Sequence, residues 1–275
     1  LRFTLPMIIG SLLQQCYNIA DTLIVGQCIG SGALAAVGSA YTLMVFLISI
    51  LLGLSMGSGT VFSLQYGAGR MKALRRSIYV SAVLIGTVTI VLNIAALSFI
   101  HPILKLLQIP DDIYQMMYDY LWIIFWGIGF TFIYNFYAAL LRAIGNAVTP
   151  LYFLAISVVL NIGLDLFFIL LLDWGIKGAA IATIIAQGVS ALGIMGYTYA
   201  KCPELRLHRN DLHFDRHCLK EITSFSTLTC IQQSVMNLGI LMVQGLVNSF
   251  GSMVMAAFAA AIKIDSFAYM PVQEF

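Results

Sequence analysis

Charged side chains are scarce in this sequence of 275 residues. Asp, Glu, Lys and Arg together make up 9% of it, whereas they make up about 25% of a typical soluble domain. The formal net charge of +2 lacks the basic excess of nucleic-acid-binding domains, so we expect no nucleic-acid partner. Hydrophobic residues fill 60% of the chain instead, and the composition therefore indicates a membrane protein.

Cysteine motifs and enzyme signatures are missing as well. The five cysteines are scattered and form no CxxC pair, so the sequence indicates neither a zinc site nor a disulfide framework. There is no HExxH motif and no phosphate-binding loop, and we therefore expect neither an enzyme nor a bound cofactor. One polar stretch leaves a metal site open as an alternative to a solvated linker, because it contains Cys202, His208, His213, His217 and Cys218.

Long apolar runs account for most of the chain. They are too long and too uniform for barrel strands, so they predict an all-α polytopic membrane protein. Eight runs can be marked, at residues 3–26, 33–65, 77–100, 113–141, 150–172, 178–200, 222–250 and 252–275. Basic residues concentrate after the second, fourth and sixth runs. The positive-inside rule therefore places these loops and the N-terminus in the cytoplasm.

The end of the chain resembles its beginning. Residues 231–234 (IQQS) resemble residues 13–16 (LQQC), and Gly251-Ser252 resembles Gly30-Ser31. This pattern predicts parallel repeats of six helices each. We expect a first six-helix lobe at residues 1–200, a cytoplasmic linker at 201–220, and the first two helices of a second lobe at 221–275. The chain would then be a fragment of a six-plus-six-helix protein.

An acidic residue, Asp21, lies inside the first apolar run. Insertion scales assign about 2.5–3.5 kcal/mol to a carboxylate at the centre of a membrane helix, so such a residue is a functional candidate by default. Tyr17 and Gln14 precede it by four and seven residues and share its helix face, with Asn18 beside them. This polar stripe predicts contact with other helices or with a water-filled cavity.

A second deep acid lies in the fifth run, where Asn161 and Asp165 are four residues apart and share a face. The sixth run carries Thr183 and Gln187 at the same spacing, and the fourth run carries Asn135. We expect one site built from oxygen ligands, which hard cations prefer. Its predicted members are Asp21, Asn161, Asp165 and Thr183, supported by Tyr17, Asn135 and Gln187.

These residues and several motifs resemble the multidrug and toxic compound extrusion (MATE) family of secondary transporters. The resemblance runs the whole length of the chain and is carried by YNIADTLIVGQCIGSGALAAVG, QYGAGRMKALRR, LLRAIGNAVTP and the repeat. It implies two lobes around a cavity that opens alternately to each side of the membrane. It also implies a bend in the first helix at a Pro and a Gly, which fall on Pro6 and Gly10.

In the prokaryotic branch with an acidic first lobe, a matching cluster is implicated in proton or sodium coupling. The matching positions here are Tyr17, Asp21, Asn135, Asn161, Asp165 and Thr183. The resemblance therefore implies a monomeric antiporter of the plasma (inner) membrane that exports amphipathic or cationic organic drugs in exchange for H⁺ or Na⁺. A lipid-linked oligosaccharide flippase of the same superfamily is the alternative, although the first six runs contain no Lys or Arg for a pyrophosphate. A membrane-embedded enzyme is the remaining alternative.

Overall fold

The computed structural model describes residues 4–208, 211 and 215–273, which form α-helices joined by short turns, with no β-strand among them. The helices are α1 (Thr4–Cys28), α2 (Ser31–Gly67), α3 (Met71–Ser98), α4 (Ile100–Leu106), α5 (Asp111–Trp126), α6 (Ile128–Ala143), α7 (Val148–Leu166), α8 (Gly175–Lys201), α9 (Arg216–Asn248) and α10 (Ser252–Gln273). A π-helical turn, Phe167–Leu171, extends α7, and a 3-10 turn, Pro203–Leu205, follows α8. The predicted all-α fold is confirmed.

Within the described residues, five helices are long and apolar enough to cross a membrane, namely α2, α3, α7 with its π-helical turn, α8 and α9. The bent pair of α5 and α6 makes a sixth if it is counted as one span. Helix α1 is not among them although it has 25 residues, because polar residues such as Gln14, Asn18 and Asp21 lower its hydropathy. The same residues form the polar stripe that the sequence predicts for α1.

The fourth apolar run, residues 113–141, forms two helices that meet at a bend. The chain bends by 46° between α5 and α6, at Gly127. A Cβ atom on Gly127 would lie 2.9 Å from the Ile184 side chain on α8, so α8 approaches the break too closely for a larger residue. The break thus follows from packing against α8, which the run of apolar residues does not reveal.

The two turns that suggested the repeat have similar backbones. Gly30, between α1 and α2, has φ 125°, and Gly251, between α9 and α10, has φ 93°. Both values lie in the left-handed region, which favours glycine over residues with a side chain. The turns therefore support the repeat, while the division into residues 1–200, 201–220 and 221–275 stays a prediction.

Helix α2 lies at the centre of the bundle. It packs against α3, α5 and α6 on one side and against α9 and α10 on the other. Gly53 and Gly57 let α9 approach closely, since a Cβ on Gly53 would lie 2.6 Å from the Cys230 Cα atom. Together with Ser55 they match the GxSxG spacing of an esterase nucleophile, but here it lies inside a helix instead of on a strand-to-helix turn. The spacing therefore serves helix packing.

Ion pairs mark the two ends of the bundle. Arg75 at the start of α3 contacts Asp211 at 2.9 Å, and Arg76 contacts Asp215 at 3.2 Å. These contacts join the loop after α2 to the segment after α8. Lys177 at the opposite end of α8 contacts Asp119 at 3.1 Å. The two most basic loops therefore lie together at one end of the bundle.

Candidate functional site

Asp21 and Asp165 meet where α1 packs against α7. Both are buried, with 9% of Asp21 and none of Asp165 exposed. Their carboxyl groups lie close together. Two ionised carboxylates at such a distance repel strongly in a medium of low dielectric constant, so a proton or another cation must accompany the pair. The two acids are therefore candidates for binding one coupling ion between them.

Asn161 connects this acid pair to α8. It lies one turn before Asp165 and is 1% exposed. In the amide orientation that satisfies both of its ends, it donates to Asp165 Oδ2 at 2.9 Å and accepts from the Thr183 backbone N–H at 3.2 Å. The Thr183 hydroxyl in turn lies 3.5 Å from the Tyr17 hydroxyl. The four residues predicted to form the site, with Tyr17, are thus brought together from three helices.

A cavity of about 110 Å³ adjoins this cluster between α1, α6, α7 and α8. Its walls include six of the predicted residues, namely Gln14, Tyr17, Asn135, Asn161, Thr183 and Gln187. Neither acid lines it. Asn161, Thr183 and Tyr17 therefore stand between the acid pair and the open space, and through them a change at the acids can reach a molecule in the cavity.

Asn135 and Gln187 belong to the wall of the cavity and bond through Thr131. The Thr131 hydroxyl donates to Gln187 Oε1 at 2.9 Å, and Asn135 donates to the Thr131 carbonyl oxygen at 2.8 Å. Their hydrogen bonds thus lead to α6 and not to either carboxylate. They support the site by shaping its wall.

Sequence reasoning missed several polar residues of the same wall. Thr131, Ser157 and Ser190 line the cavity, as does Tyr134. The first three lie three or four residues from Asn135, Asn161 and Gln187, so a search along each helix face would have found them.

The predicted bend of α1 stays a prediction. Helix α1 continues through Pro6 and Gly10 without a break. The Pro6 side chain lies outside the described part of the structure. A Cβ on Gly10 would lie 3.7 Å from Leu151 on α7, which is an ordinary contact distance. Glycine is therefore not required there by packing.

The alternative metal site in the polar stretch after α8 finds no support. Among the described residues, no three His, Cys, Asp or Glu side chains come together in a way that could hold a metal ion. His213 lies outside those residues. The stretch instead makes ion pairs with α3.

This chain is similar to known proteins along almost its whole length. The family model MatE matches residues 6–167. The probable multidrug resistance protein YpnP of Bacillus subtilis is 32% identical over 270 residues, which cover 98% of this chain and 60% of that protein. The chain therefore spans about three fifths of the length of this relative.

Two solved structures of a multidrug resistance MATE family transporter of the MOP superfamily have the same fold. The inward-facing structure matches with a TM-score of 0.88 at 22% identity, and the match covers 98% of this chain and 63% of the chain in that structure. The outward-facing structure also matches with a TM-score of 0.88, at 24% identity, and the match covers 99% of this chain and 61% of the chain in that structure. The family model covers more than half of the chain, and the multidrug and toxic compound extrusion (MATE) family is therefore the one to which this chain belongs.

Proposed function

We propose that this chain contains the ion-coupling lobe of a secondary active multidrug efflux antiporter, which exports amphipathic or cationic organic compounds in exchange for H⁺ or Na⁺. The observation that carries the proposal is the buried pair of Asp21 and Asp165, which adjoins a polar cavity. The name of YpnP, a probable multidrug resistance protein, supports the substrate class. The transporter works as a monomer in the plasma membrane.

The contact between the two carboxyl groups favours a proton over Na⁺ as the coupling ion. A single proton on one of two neighbouring carboxyl groups relieves their repulsion without any further ligand. A sodium ion between the same groups would instead need several oxygen ligands around it, which Asn161 and Thr183 could supply in part. H⁺ is therefore the first candidate and Na⁺ the second.

Coupling follows from the hydrogen bonds that lead away from the acid pair. When the pair loses its proton, the negative charge strengthens the hydrogen bond that the Asn161 amide donates to Asp165. The other end of this amide accepts from the Thr183 backbone N–H, so the change extends to α8. Thr183 and Tyr17 line the cavity, so the two protonation states present different cavity walls. A drug that binds these states with different affinities is then linked to the proton without sharing its site.

The orientation in the membrane follows from the loop charges. The ion pairs of Arg75 and Arg76 hold the basic loops after α2 and α8 at one end of the bundle. We assign this end, with the N-terminus, to the cytoplasm, because cytoplasmic loops are enriched in Lys and Arg.

Efflux of a fluorescent organic cation from proteoliposomes tests the function. The natural protein, expressed from its complete gene, is measured under a proton gradient alone and under a sodium gradient alone. We expect efflux with the proton gradient, its loss in Asp21→Asn, and its retention in Asp119→Asn, which neutralises an acid in a partly exposed ion pair. Absence of cation efflux under both gradients would overturn the proposal, and movement of a lipid-linked oligosaccharide instead would point to a flippase.

A further inference from the structure

A cluster of polar side chains lies buried between α2 and α9, far from the acid pair in the sequence. We call it the α2–α9 polar cluster; its members are Ser39, Thr42, Gln244 and Asn248. Their exposed fractions are 0%, 5%, 1% and 1%. Four polar side chains thus meet where α2 packs against α9.

The members of the cluster bond to one another across the interface. The Ser39 hydroxyl donates to Asn248 Oδ1 at 2.9 Å, and Gln244 Nε2 donates to Ser39 Oγ at 2.8 Å. Gln244 Nε2 also lies 2.8 Å from Asn248 Oδ1, and the Thr42 hydroxyl donates to Gln244 Oε1 at 3.3 Å. The polar groups of α2 are thus satisfied largely by α9.

A third element joins the cluster. Asn248 Nδ2 donates to the carbonyl oxygen of Leu107 at 2.8 Å. Leu107 follows the short helix α4, and the next residue, Gln108, has φ 52°. This positive φ turns the chain back, and the turn leaves the Leu107 carbonyl bonded to α9. The cluster therefore fastens α9 to α2 and to the loop before α5.

The rest of the α2–α9 contact is built differently. Towards the other end of the bundle, Gly53 and Gly57 of α2 face Cys230 and Ser226 of α9 so closely that an added Cβ would overlap them. Where glycine backbones pack closely, few polar groups are available to bind water if the helices separate. Hydroxyl and amide groups, in contrast, can replace their hydrogen bonds to one another by hydrogen bonds to water at little cost in free energy. The glycine end of the interface is therefore suited to staying closed, and the polar end is suited to opening to water.

We propose that the α2–α9 polar cluster is a gate that closes the noncytoplasmic end of the interface and opens to water during transport. The proposal rests on the proposed function, and it takes α2 and α9 to belong to the two predicted lobes, which separate when the cavity opens to the outside. In the closed state the cluster satisfies its own polar groups. In the open state water replaces these hydrogen bonds, which an apolar contact could not offer.

Labelling of a cysteine at position 39 with a membrane-impermeant maleimide tests whether the gate opens. The protein is the natural one, expressed from its complete gene, with Cys28→Ser and Ser39→Cys. Native Cys28, exposed at the same end of the bundle, is the positive control in the protein that retains it. We expect slow labelling of position 39 from outside the cell. Absence of labelling, while Cys28 reacts, would overturn the gate.

A matched pair of variants tests the role of the hydrogen bonds. Asn248→Leu removes the acceptor of Ser39 and Gln244 and the donor to Leu107. We therefore expect labelling at position 39 to become at least about tenfold faster, as the loss of three hydrogen bonds of ordinary net strength implies. Asn237→Leu is the control, because Asn237 is also buried in α9 but its amide donates to Gln233 within that helix. Equal rates in the two variants would contradict the proposal.

A disulfide between the helices provides a second test. Ser39→Cys with Asn248→Cys is oxidised, and efflux is measured before and after reduction. We expect oxidation to stop efflux and reduction to restore it, since the gate can then no longer open. Undiminished efflux by the fully cross-linked protein would show that α2 and α9 stay in contact throughout transport, which would overturn the gate. Absence of efflux by the natural protein without substitutions would count against the proposed function, whereas the labelling result does not depend on transport.

Discussion

Substitution of Asp165 separates the contribution of the acid pair to folding from its contribution to transport. Asp165 is fully buried, accepts a hydrogen bond from Asn161 at 2.9 Å, and contacts the carboxyl group of Asp21. Asp165→Asn keeps the size of the side chain and can donate to Asp21 as a protonated carboxyl group does. Asp165→Leu has a comparable volume but can neither donate nor accept.

The expected magnitudes follow from these contacts. A buried polar group that loses its partner costs about 1–3 kcal/mol. Asp165→Leu removes the partner of the Asn161 amide and the contact of Asp21, so we expect it to lower the free energy of unfolding by about 2–6 kcal/mol. Asp165→Asn retains both contacts and should cost no more than about 1 kcal/mol. In apparent unfolding midpoint, the Leu variant should fall by roughly 5–20 °C and the Asn variant by roughly 4 °C or less.

Thermal unfolding of the purified protein in detergent, together with proton-driven efflux, measures both effects. The Asn variant should be nearly as stable as the natural protein yet should lose coupled efflux, because its amide cannot release a proton. Asp119→Asn serves again as the control. Equal stability of the Leu and Asn variants would refute the hydrogen bonds on which the estimate rests, and full coupled efflux by the Asn variant would refute the role of the pair.

Two further predictions concern stability. Gly127→Ala should lower the free energy of unfolding by about 1–3 kcal/mol, because its Cβ would lie 2.9 Å from Ile184. In a double-mutant cycle with Ile184→Ala, the two losses of stability should be less than additive. Strict additivity would contradict the contact. Burial raises the pKa of Asp211, but hydrogen bonds from the His208 backbone N–H and from Arg75 lower it by more, so the net pKa lies below its ordinary value. Its contribution to stability is therefore present above the ordinary pKa of about 3.9 and is lost as the pH falls through the lower, folded-state pKa. The stability difference between the natural protein and Arg75→Gln should accordingly shrink as unfolding midpoints are measured from pH 7 to about pH 3, and a constant difference would argue against the ion pair.

Much of the secondary structure could be predicted from the sequence, because each helix follows from local chemistry. A run of apolar residues long enough to span a bilayer must satisfy its backbone hydrogen bonds internally, which makes it a helix. Turn glycines such as Gly30 mark where the runs end. The bend at Gly127 could not be predicted in this way, since it depends on the approach of Ile184 from another helix.

The candidate site was predictable to the extent that helix periodicity fixes which residues share a face. It indicated that Asn161 lies beside Asp165 and that Tyr17 lies beside Asp21. Spacing within a helix does not tell which other helix that face meets. The contact of Asp21 with Asp165 therefore came from the resemblance and from the packing of α1 on α7, and not from the spacing.

The polar cluster between α2 and α9 shows most clearly which contacts could not be predicted from the sequence. Ser39 and Asn248 are ordinary polar residues in their local sequences, and nothing near either residue indicates the other. They become partners because Gly53 and Gly57 let the two helices pack closely, and the helix length then sets the level at which they meet. The sequence by itself determined the helices and the polar face of each one. Only the tertiary structure decided which faces meet, because that depends on distances between residues more than two hundred positions apart.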